Sequence, residues 1–293
     1  MRRHWVRVVT LLLPAMTGCL SHTRKLQAPK GPSVELTADA AQLESEINKN
    51  YDGIHSLNAT VDFRASVGGE KRGTVTDYNV SIRGFILLRK PEMLRVLGLV
   101  PVLHTTAFDL ASNGKTFKLL IPPKSKAIEG STTVTKRSNN AMENLRPSVF
   151  FDSMLIRGIT PDEKVFLTTE TTTTQDPKSK QMIEDPHYDL YTLQPKPDGN
   201  ELIPLRVIHF SRANLRPIEQ DIYNKDGVVE TQVFYGPDST FGDVRFPGTV
   251  TIKRPIDEYQ IVLTIEKLTV NQSLTDDQFE NKIPEGIQIQ KLD

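Results

Sequence analysis

Hydrophobic and polar residues alternate strictly over several stretches of this chain. In the segment that begins at Asn58, every second residue is apolar: Ala59, Val61, Phe63, Ala65 and Val67. A period of two is typical of a strand that buries one face and exposes the other to water. The pattern therefore predicts a half-buried antiparallel strand.

A second alternating segment follows the polar loop GGEKRG. The apolar residues that share one of its faces are Tyr78, Val80, Ile82, Ile86 and Leu88. Gly84 interrupts the segment, and a glycine inside a strand favours a bend or a bulge. The two segments together predict a long hairpin in a strongly curved sheet.

Strand patterns recur along most of the remaining chain and are joined by short connections. We predict them at 93–97, 105–111, 116–121, 126–129, 164–170, 187–194, 204–212, 218–224, 228–235, 247–254 and 258–268. Asn113-Gly114 and Asp226-Gly227 are typical of tight turns between antiparallel strands. The polar interval 168–187 predicts a hairpin tip. Strands do not alternate with helices, which argues against a doubly wound parallel sheet.

Two segments have the spacing of amphipathic helices. Leu43, Ile47, Tyr51 and Ile54 form an apolar stripe on a helix predicted at about 38–51, and Asp39 can cap its first turn. The second helix is predicted at 141–157, with a break near Pro147. The predicted fold class is mainly β (α+β): a single strongly curved antiparallel sheet forms an incomplete β-barrel, with the helices packed on its concave face.

The first 18 residues differ from everything that follows. They combine a basic start with the short apolar run VVTLLLPAM and the small residues that precede Cys19, the only cysteine. This arrangement is typical of a secretory signal, and its apolar run is far below the roughly 20 residues of a transmembrane helix. We expect a signal peptide at 1–18, a lipidated cysteine and flexible tether at 19–35, and one folded domain at 36–293.

The residues around Cys19 resemble the lipobox of bacterial lipoproteins. The resemblance implies cleavage before Cys19 and acylation of that residue, so that two or three acyl chains anchor the protein. Each buried methylene contributes about 0.8 kcal/mol, which makes such an anchor stable. Leu20 follows the cysteine, and the family sorting rule then implies the outer membrane. The alternative is an ordinary signal with an incidental cysteine.

Composition and motifs restrict the possible functions. The formal net charge is +0 for the whole chain, and no basic patch is interleaved with aromatic residues, which argues against nucleic-acid binding. The six histidines are scattered without metal-ligand spacing, so we expect no metal site and no cofactor. Ser112 and Lys115 match an S-x-x-K motif, but the motif lies on a predicted turn. The sequence therefore predicts a binding protein and not an enzyme.

The order of the predicted elements resembles the LolA/LolB-type fold. Three segments carry the resemblance: the strand SLNATVDFRASV after the first helix, residues 84–123 with their Asn-Gly hairpin, and residues 246–286 with two strands and the short helical DDQF. In that family a curled half-barrel with a helical lid encloses a cavity for acyl chains. The resemblance implies lipid or lipoprotein acyl chains as ligands, with a soluble periplasmic carrier as partner of the lipidated member.

The inward-facing residues of the curved sheet are the candidates for a ligand cavity. They are Val61, Phe63, Tyr78, Val80, Ile82, Ile86, Leu88, Phe108 and Leu110. The cavity itself is implied by the resemblance, because alternation predicts an ordinary packed core equally well.

The segment from Leu97 to Leu103 is almost entirely apolar, yet it contains a glycine and a proline that favour a loop. An exposed apolar loop is typical of contact with a membrane, a ligand or a partner. The resemblance implies a protruding loop here, with Leu97, Leu99 and Val100 as its candidate residues. The alternative is the continuation of a buried strand.

Two functions follow from these observations. The first is a membrane-anchored lipoprotein that binds acyl chains of lipids or lipoproteins in a hydrophobic cavity, for transfer or insertion at the outer membrane. The alternative is a structural or adaptor lipoprotein of an envelope complex, with the same fold but without cargo.

Overall fold

A computed structural model describes residues 28–133, 144–196 and 199–292. The predicted signal peptide, Cys19 and residues 20–27 of the predicted tether lie outside the described residues. Within the described ranges, no helix is long and apolar enough to cross a bilayer.

Strands make up most of the described chain. They are β1 (Ser56–Gly69), β2 (Thr74–Arg89), β3 (Met93–Leu99), β4 (Thr106–Ser112), β5 (Thr116–Ile121), β6 (Lys126–Ser131), β7 (Lys164–Gln175), β8 (Met182–Pro195), β9 (Leu202–Ser211), β10 (Pro217–Tyr223), β11 (Val229–Tyr235), β12 (Asp238–Phe241), β13 (Val244–Pro247), β14 (Thr249–Arg254), β15 (Tyr259–Val270) and β16 (Gln288–Leu292). The helices are α1 (Ala40–Gly53) and α2 (Pro147–Met154), with 3-10 turns at Pro122–Lys124 and Asp276–Phe279.

Fourteen strands form one large curved sheet that does not close into a barrel. Its order is β16-β6-β5-β4-β3-β2-β1-β15-β14-β11-β10-β9-β8-β7, and β12 and β13 form a separate hairpin. The mainly β prediction is therefore confirmed. One strand departs from the antiparallel prediction, because β16 pairs with β6 in parallel. This terminal strand must return across the molecule to reach the sheet edge, and alternation alone carries no sign of that path.

Both predicted helices are present. Asp39 caps α1, since its side chain accepts a hydrogen bond from the backbone of Gln42 while the Gln42 side chain accepts one from the backbone of Asp39. Leu43 and Ile47 are buried against a cluster from β8 and β9, as their spacing predicted. The predicted break near Pro147 is present, because residues 145–146 are not helical and α2 begins at Pro147, where the fixed φ of proline suits the first helical position. Helix α2 ends at Met154, before the predicted end at 157, and residues 141–143 lie outside the described residues.

Two paired glycines, one in β2 and one in β3, leave space that neighbouring backbone and aromatic side chains occupy. Gly84 pairs with Gly98 in the ladder, and a Cβ on Gly84 would lie 2.0 Å from the carbonyl oxygen of Leu97. A Cβ on Gly98 would lie 2.3 Å from the Phe108 ring, which packs edge-to-face on Phe63. Of the bend or bulge expected at Gly84, the bulge is wrong, because Gly84 is paired in register with Val61. The irregularity of this hairpin lies where Phe63 and Ala65 of β1 face Ile82 and Tyr78 of β2.

We expect the substitution Gly84→Ala to lower the free energy of unfolding by at least about 2 kcal/mol, because overpacking against fixed backbone is costly. Urea denaturation followed by circular dichroism measures this change. Gly53→Ala is the matched control, since no heavy atom lies within 4 Å of a Cβ built there. Equal stability of the two variants would contradict the close approach of β2 and β3.

Candidate functional site

Most of the predicted cavity residues lie in a packed core. Five of them are almost fully buried in one cluster: Val61, Phe63, Ile86, Leu88 and Leu110. Ile82 and Phe108 are partly buried against the same cluster. Helix α2 contributes Phe150 and Phe151 to it, so the chain's own side chains cover this face. Contact of these residues with a ligand stays a prediction.

Tyr78 and Val80 do not reach that core. Their exposed fractions are 56% and 61%, and Ala65, the partner of Tyr78 in the ladder, is also exposed. Residues 74–83 of β2 lie beyond its last pair with β3, so this part of the strand has only β1 beside it and its alternation persists without a core to face. The prediction that Tyr78 and Val80 line a covered cavity is therefore corrected.

An apolar cleft of about 160 Å³ lies elsewhere, between α1, the end of α2 and the strands β9 to β13. Its apolar lining consists of Ile47, Ile54, Met154, Leu155, Ile156, Phe210, Pro217, Tyr235, Phe246 and Pro247, and its polar lining of Glu46, Asn50, Arg216, Asp238 and Arg245. None of the nine predicted cavity residues is among them. The open apolar space is thus beside the predicted cavity and not inside it.

Two residues at the end of α2 lie between the cleft and the packed core. Met154 and Leu155, at the end of α2, line the cleft and belong to the same buried cluster as the predicted residues.

The charges of the cleft lie on its polar lining. Arg216 pairs with Asp238 at 2.8 Å, and Arg245 is exposed. Burial raises the pKa of Tyr235, so its hydroxyl stays neutral and accepts a 3.4 Å hydrogen bond from the Gln220 amide. Among the described residues that line the cleft there is no histidine, cysteine, serine or threonine. The arrangement suits burial of an apolar ligand.

The predicted apolar loop is displaced along the chain. Leu97 and Leu99 lie in β3 and are half-buried, because Gly98 pairs in the ladder instead of breaking the strand. Val100 begins the turn and donates its backbone N–H to the carbonyl of Thr105. The exposed tip consists of Val102 and Leu103, with exposed fractions of 88% and 72%. The loop position of Leu97 and Leu99 is therefore corrected.

A second apolar tip lies at the same end of the sheet. Since Gly84 of β2 pairs with Gly98 of β3, the β1–β2 hairpin and the β3–β4 turn project in one direction. The residues Val75, Tyr78, Val80, Val102 and Leu103 are all more than half exposed, and we call them the apolar edge. Apolar residues are also exposed elsewhere, at Val34, Phe166 and Leu202 for example, but those of the apolar edge come from two neighbouring turns at one end of the sheet. A group of exposed apolar residues is typical of an interaction surface.

Comparison with known proteins reveals similarity at the level of structure. No family model matches the chain, and no curated protein matches it. A LolA-superfamily protein from Nitrosomonas europaea superposes with a TM-score of 0.50 at 13% identity, covering 84% of this chain and 99% of that one. A DUF1329-family protein from Desulfovibrio piger gives a TM-score of 0.50 at 13% identity, covering 82% and 95%. The chain has a LolA/LolB-like fold.

A further structure of similar extent is a putative outer membrane lipoprotein-sorting protein domain from Vibrio parahaemolyticus. It covers 82% of this chain and 94% of its own, at 12% identity and a TM-score of 0.46. The fold prediction made from the element order is thus confirmed by the first two structures.

Within this LolA/LolB-like fold, sequence reasoning missed most of the cleft. Phe210, Tyr235 and Phe246 come from three distant strands, and nothing in their local sequence groups them. The two predicted helices gave the signals, since Ile47 and Ile54 belong to the apolar stripe of α1, and Met154 and Leu155 lie in the segment predicted at 141–157.

Proposed function

We propose that this protein is an exported lipoprotein, anchored to the periplasmic face of the outer membrane through Cys19, that binds acyl chains of lipids or lipoproteins for transfer or insertion. The supporting observation is the apolar cleft of about 160 Å³ beside the curved sheet of a LolA/LolB-like fold. Capture needs no covalent step and no cofactor, because each buried methylene contributes about 0.8 kcal/mol. Release follows when the bilayer offers the chain an equivalent apolar environment.

The size of the cleft determines how a long chain would enter. A cavity of about 150 Å³ accommodates one benzene-sized group, so the cleft holds only the end of an acyl chain. In this proposal α1 and α2 cover the concave face of the sheet, and Met154 and Leu155 move aside to admit the rest of the chain. The predicted cavity residues, including Val61 and Leu88, then form the deep part of the site.

The apolar edge is the surface that we assign to membrane contact. Lys71 and Arg72 lie in the β1–β2 turn, where Arg72 pairs with Glu258 at 3.6 Å and Lys71 donates to the carbonyl of Ile256 at 3.3 Å. In this proposal anionic headgroups compete with those partners for the two exposed cations. A soluble periplasmic carrier is the proposed source of the cargo.

We expect the substitution Leu103→Glu to slow delivery of a bound fluorescent fatty acid to liposomes by about tenfold, because a charged group opposes insertion of the turn into the bilayer. Leu202→Glu is the matched control, since Leu202 is also more than half exposed but lies at the start of β9. Transfer rates are read from the loss of protein-bound fluorescence. Equal rates for both variants would contradict the role of the apolar edge.

A fluorescence titration tests the proposed function itself. A variant that begins after Cys19, and so lacks the lipid, is titrated with a fluorescent fatty acid that is then displaced by palmitate. We expect saturable binding of one chain per protein and full displacement. Absence of saturable binding would overturn the proposal.

One observation favours the second function, a structural or adaptor lipoprotein of an envelope complex. The predicted cavity face is filled by the protein's own side chains, with Val61, Ile86 and Leu88 fully buried. If the protein binds no fatty acid even when the fatty acid is in excess, this packing is maintained and the protein acts as a tethered scaffold.

A further inference from the structure

Five side chains with metal-binding groups converge on the strands β8, β9 and β10. They are His187, Asp189, His209, Glu219 and Asp221. The ladder places Asp189 opposite His209 and His209 opposite Glu219. Strand alternation turns the intervening Tyr188, Leu190, Ile208 and Phe210 to the opposite face, where they pack with α1. The cluster therefore lies on the face of the sheet away from the cleft.

Asp189 fixes the orientation of the His209 ring. Its Oδ1 lies 2.7 Å from Nδ1 of His209, so that nitrogen donates to the carboxylate. Nε2 of His187 lies 3.4 Å from the same oxygen. The Asp189 side chain is only 7% exposed, which holds the contact in a protein interior. A histidine whose Nδ1 donates to a carboxylate presents Nε2 as a ligand, as in carboxylate–histidine–metal arrangements.

The remaining nitrogen of His209 has no hydrogen-bond partner. Nε2 is buried, and the nearest carboxylate oxygen of Asp221 lies 3.9 Å away, beyond hydrogen-bonding distance. The other Asp221 oxygen accepts a 3.0 Å hydrogen bond from Gln232 and is thereby held in place. Because a buried polar atom without a partner is unfavourable, the position calls for a further ligand.

These three side chains lie near enough to close around one metal ion. His209, Glu219 and Asp221 each offer one ligand atom, and these atoms all lie within 4.8 Å of one another; Nε2 of His209 and Oδ2 of Asp221 are 3.9 Å apart. Bonds of about 2.0–2.2 Å from a central ion to nitrogen and oxygen separate ligand atoms by up to about 4 Å, so the widest separation must shorten when the ion binds. One imidazole with two carboxylates suits a borderline divalent ion, whereas Ca²⁺ prefers oxygen ligands alone.

We propose that His209, Glu219 and Asp221 bind one Zn²⁺ ion, with Asp189 as a positioning residue. Three protein ligands leave a coordination position for water. The ion would tie β9 to β10, the strands that also supply Phe210 and Pro217 to the cleft on the other side of the sheet. The proposed ion would thus hold together two strands that contribute to the cleft on the other face of the sheet. Zn²⁺ binding at this site does not depend on acyl binding.

Isothermal titration calorimetry of the EDTA-treated mature protein with ZnCl₂ tests this site. We expect one ion per chain, an affinity loss of about 100-fold or more for Glu219→Gln and for His209→Gln, and a loss of about 10–100-fold for Asp189→Asn. His55→Gln is the control, because His55 is exposed and lies between α1 and β1, outside the three strands of the cluster, and it should bind as the parent does.

Thermal unfolding with and without ZnCl₂ accompanies the titration. Zn²⁺ should raise the melting temperature of the parent and of His55→Gln, but not that of Glu219→Gln. Should His209→Gln fail to fold, Glu219→Gln decides the matter, since Glu219 is only partly buried. No Zn²⁺ binding by the parent, unchanged binding by Glu219→Gln, or Ca²⁺ binding as tight as that of Zn²⁺ would each overturn the proposal.

Discussion

Replacing Cys19 by serine is expected to move the protein from the membrane fraction to the soluble periplasmic fraction. The substitution removes the thiol that the lipobox resemblance assigns to acylation, and with it two or three acyl chains whose buried methylenes contribute about 0.8 kcal/mol each. No described helix can replace that anchor by crossing the bilayer. Fractionation of cells that express each form, followed by immunoblotting, measures the change.

Leu20→Asp is the matched control for this prediction. The family sorting rule implies that an aspartate after the lipidated cysteine retains a lipoprotein at the inner membrane, so this variant should stay membrane-bound but change membrane. If Cys19→Ser instead sediments with the membranes as before, the lipid-anchor account is wrong and the apolar edge becomes the stronger attachment.

Filling the cleft is expected to weaken acyl binding by more than tenfold. Ile156 lines the cleft and is partly exposed, so Ile156→Trp adds a large ring where the end of the acyl chain would lie. The loss of about two buried methylenes corresponds to about 1.6 kcal/mol, which is somewhat more than a tenfold change in affinity. Titration with the fluorescent fatty acid measures it directly.

Ile289→Trp provides the same change of residue at a distant place. Ile289 lies in β16 and is half exposed, outside the cleft lining. This variant should bind the fatty acid like the parent, while both variants keep the parent's circular dichroism spectrum. Unchanged affinity in Ile156→Trp would place acyl binding outside the cleft.

Short-range patterns in the sequence predicted the local elements well. Alternation over 58–67 gave β1, and the apolar stripe with Asp39 and Gln42 gave α1 with its capping box. Asn113-Gly114 marked the β4–β5 turn. Each of these features depends on residues a few positions apart, which is why the sequence carries them.

Features that depend on distant contacts were not predictable in the same way. Alternation could not show that Tyr78 and Val80 extend beyond the core, because the pleat is the same whether or not something packs on it. Gly98 looked like a strand breaker, yet its missing side chain is what admits the Phe108 ring. Scattered histidines predicted no metal site, although pairing of β9 with β10 brings His209 to Glu219.

The cleft also depends on contacts between residues that are distant in the sequence. Phe210, Tyr235 and Phe246 meet only after β9, β11 and β13 take their places in the fold. The sequence predicted an apolar cavity but assigned it to residues most of which belong to the buried cluster that also includes Phe150 and Phe151 of α2.

Native mass spectrometry of the unlipidated protein, purified from a bacterial host and followed by lipid extraction, tests the central idea most directly. Acyl-chain binding predicts a protein population heavier than the bare polypeptide by the mass of one fatty acid or lipid. This heavier population should be lost in Ile156→Trp and kept in Ile289→Trp. A spectrum of bare polypeptide alone, from a protein that also fails to take up added palmitate, would contradict acyl-chain binding.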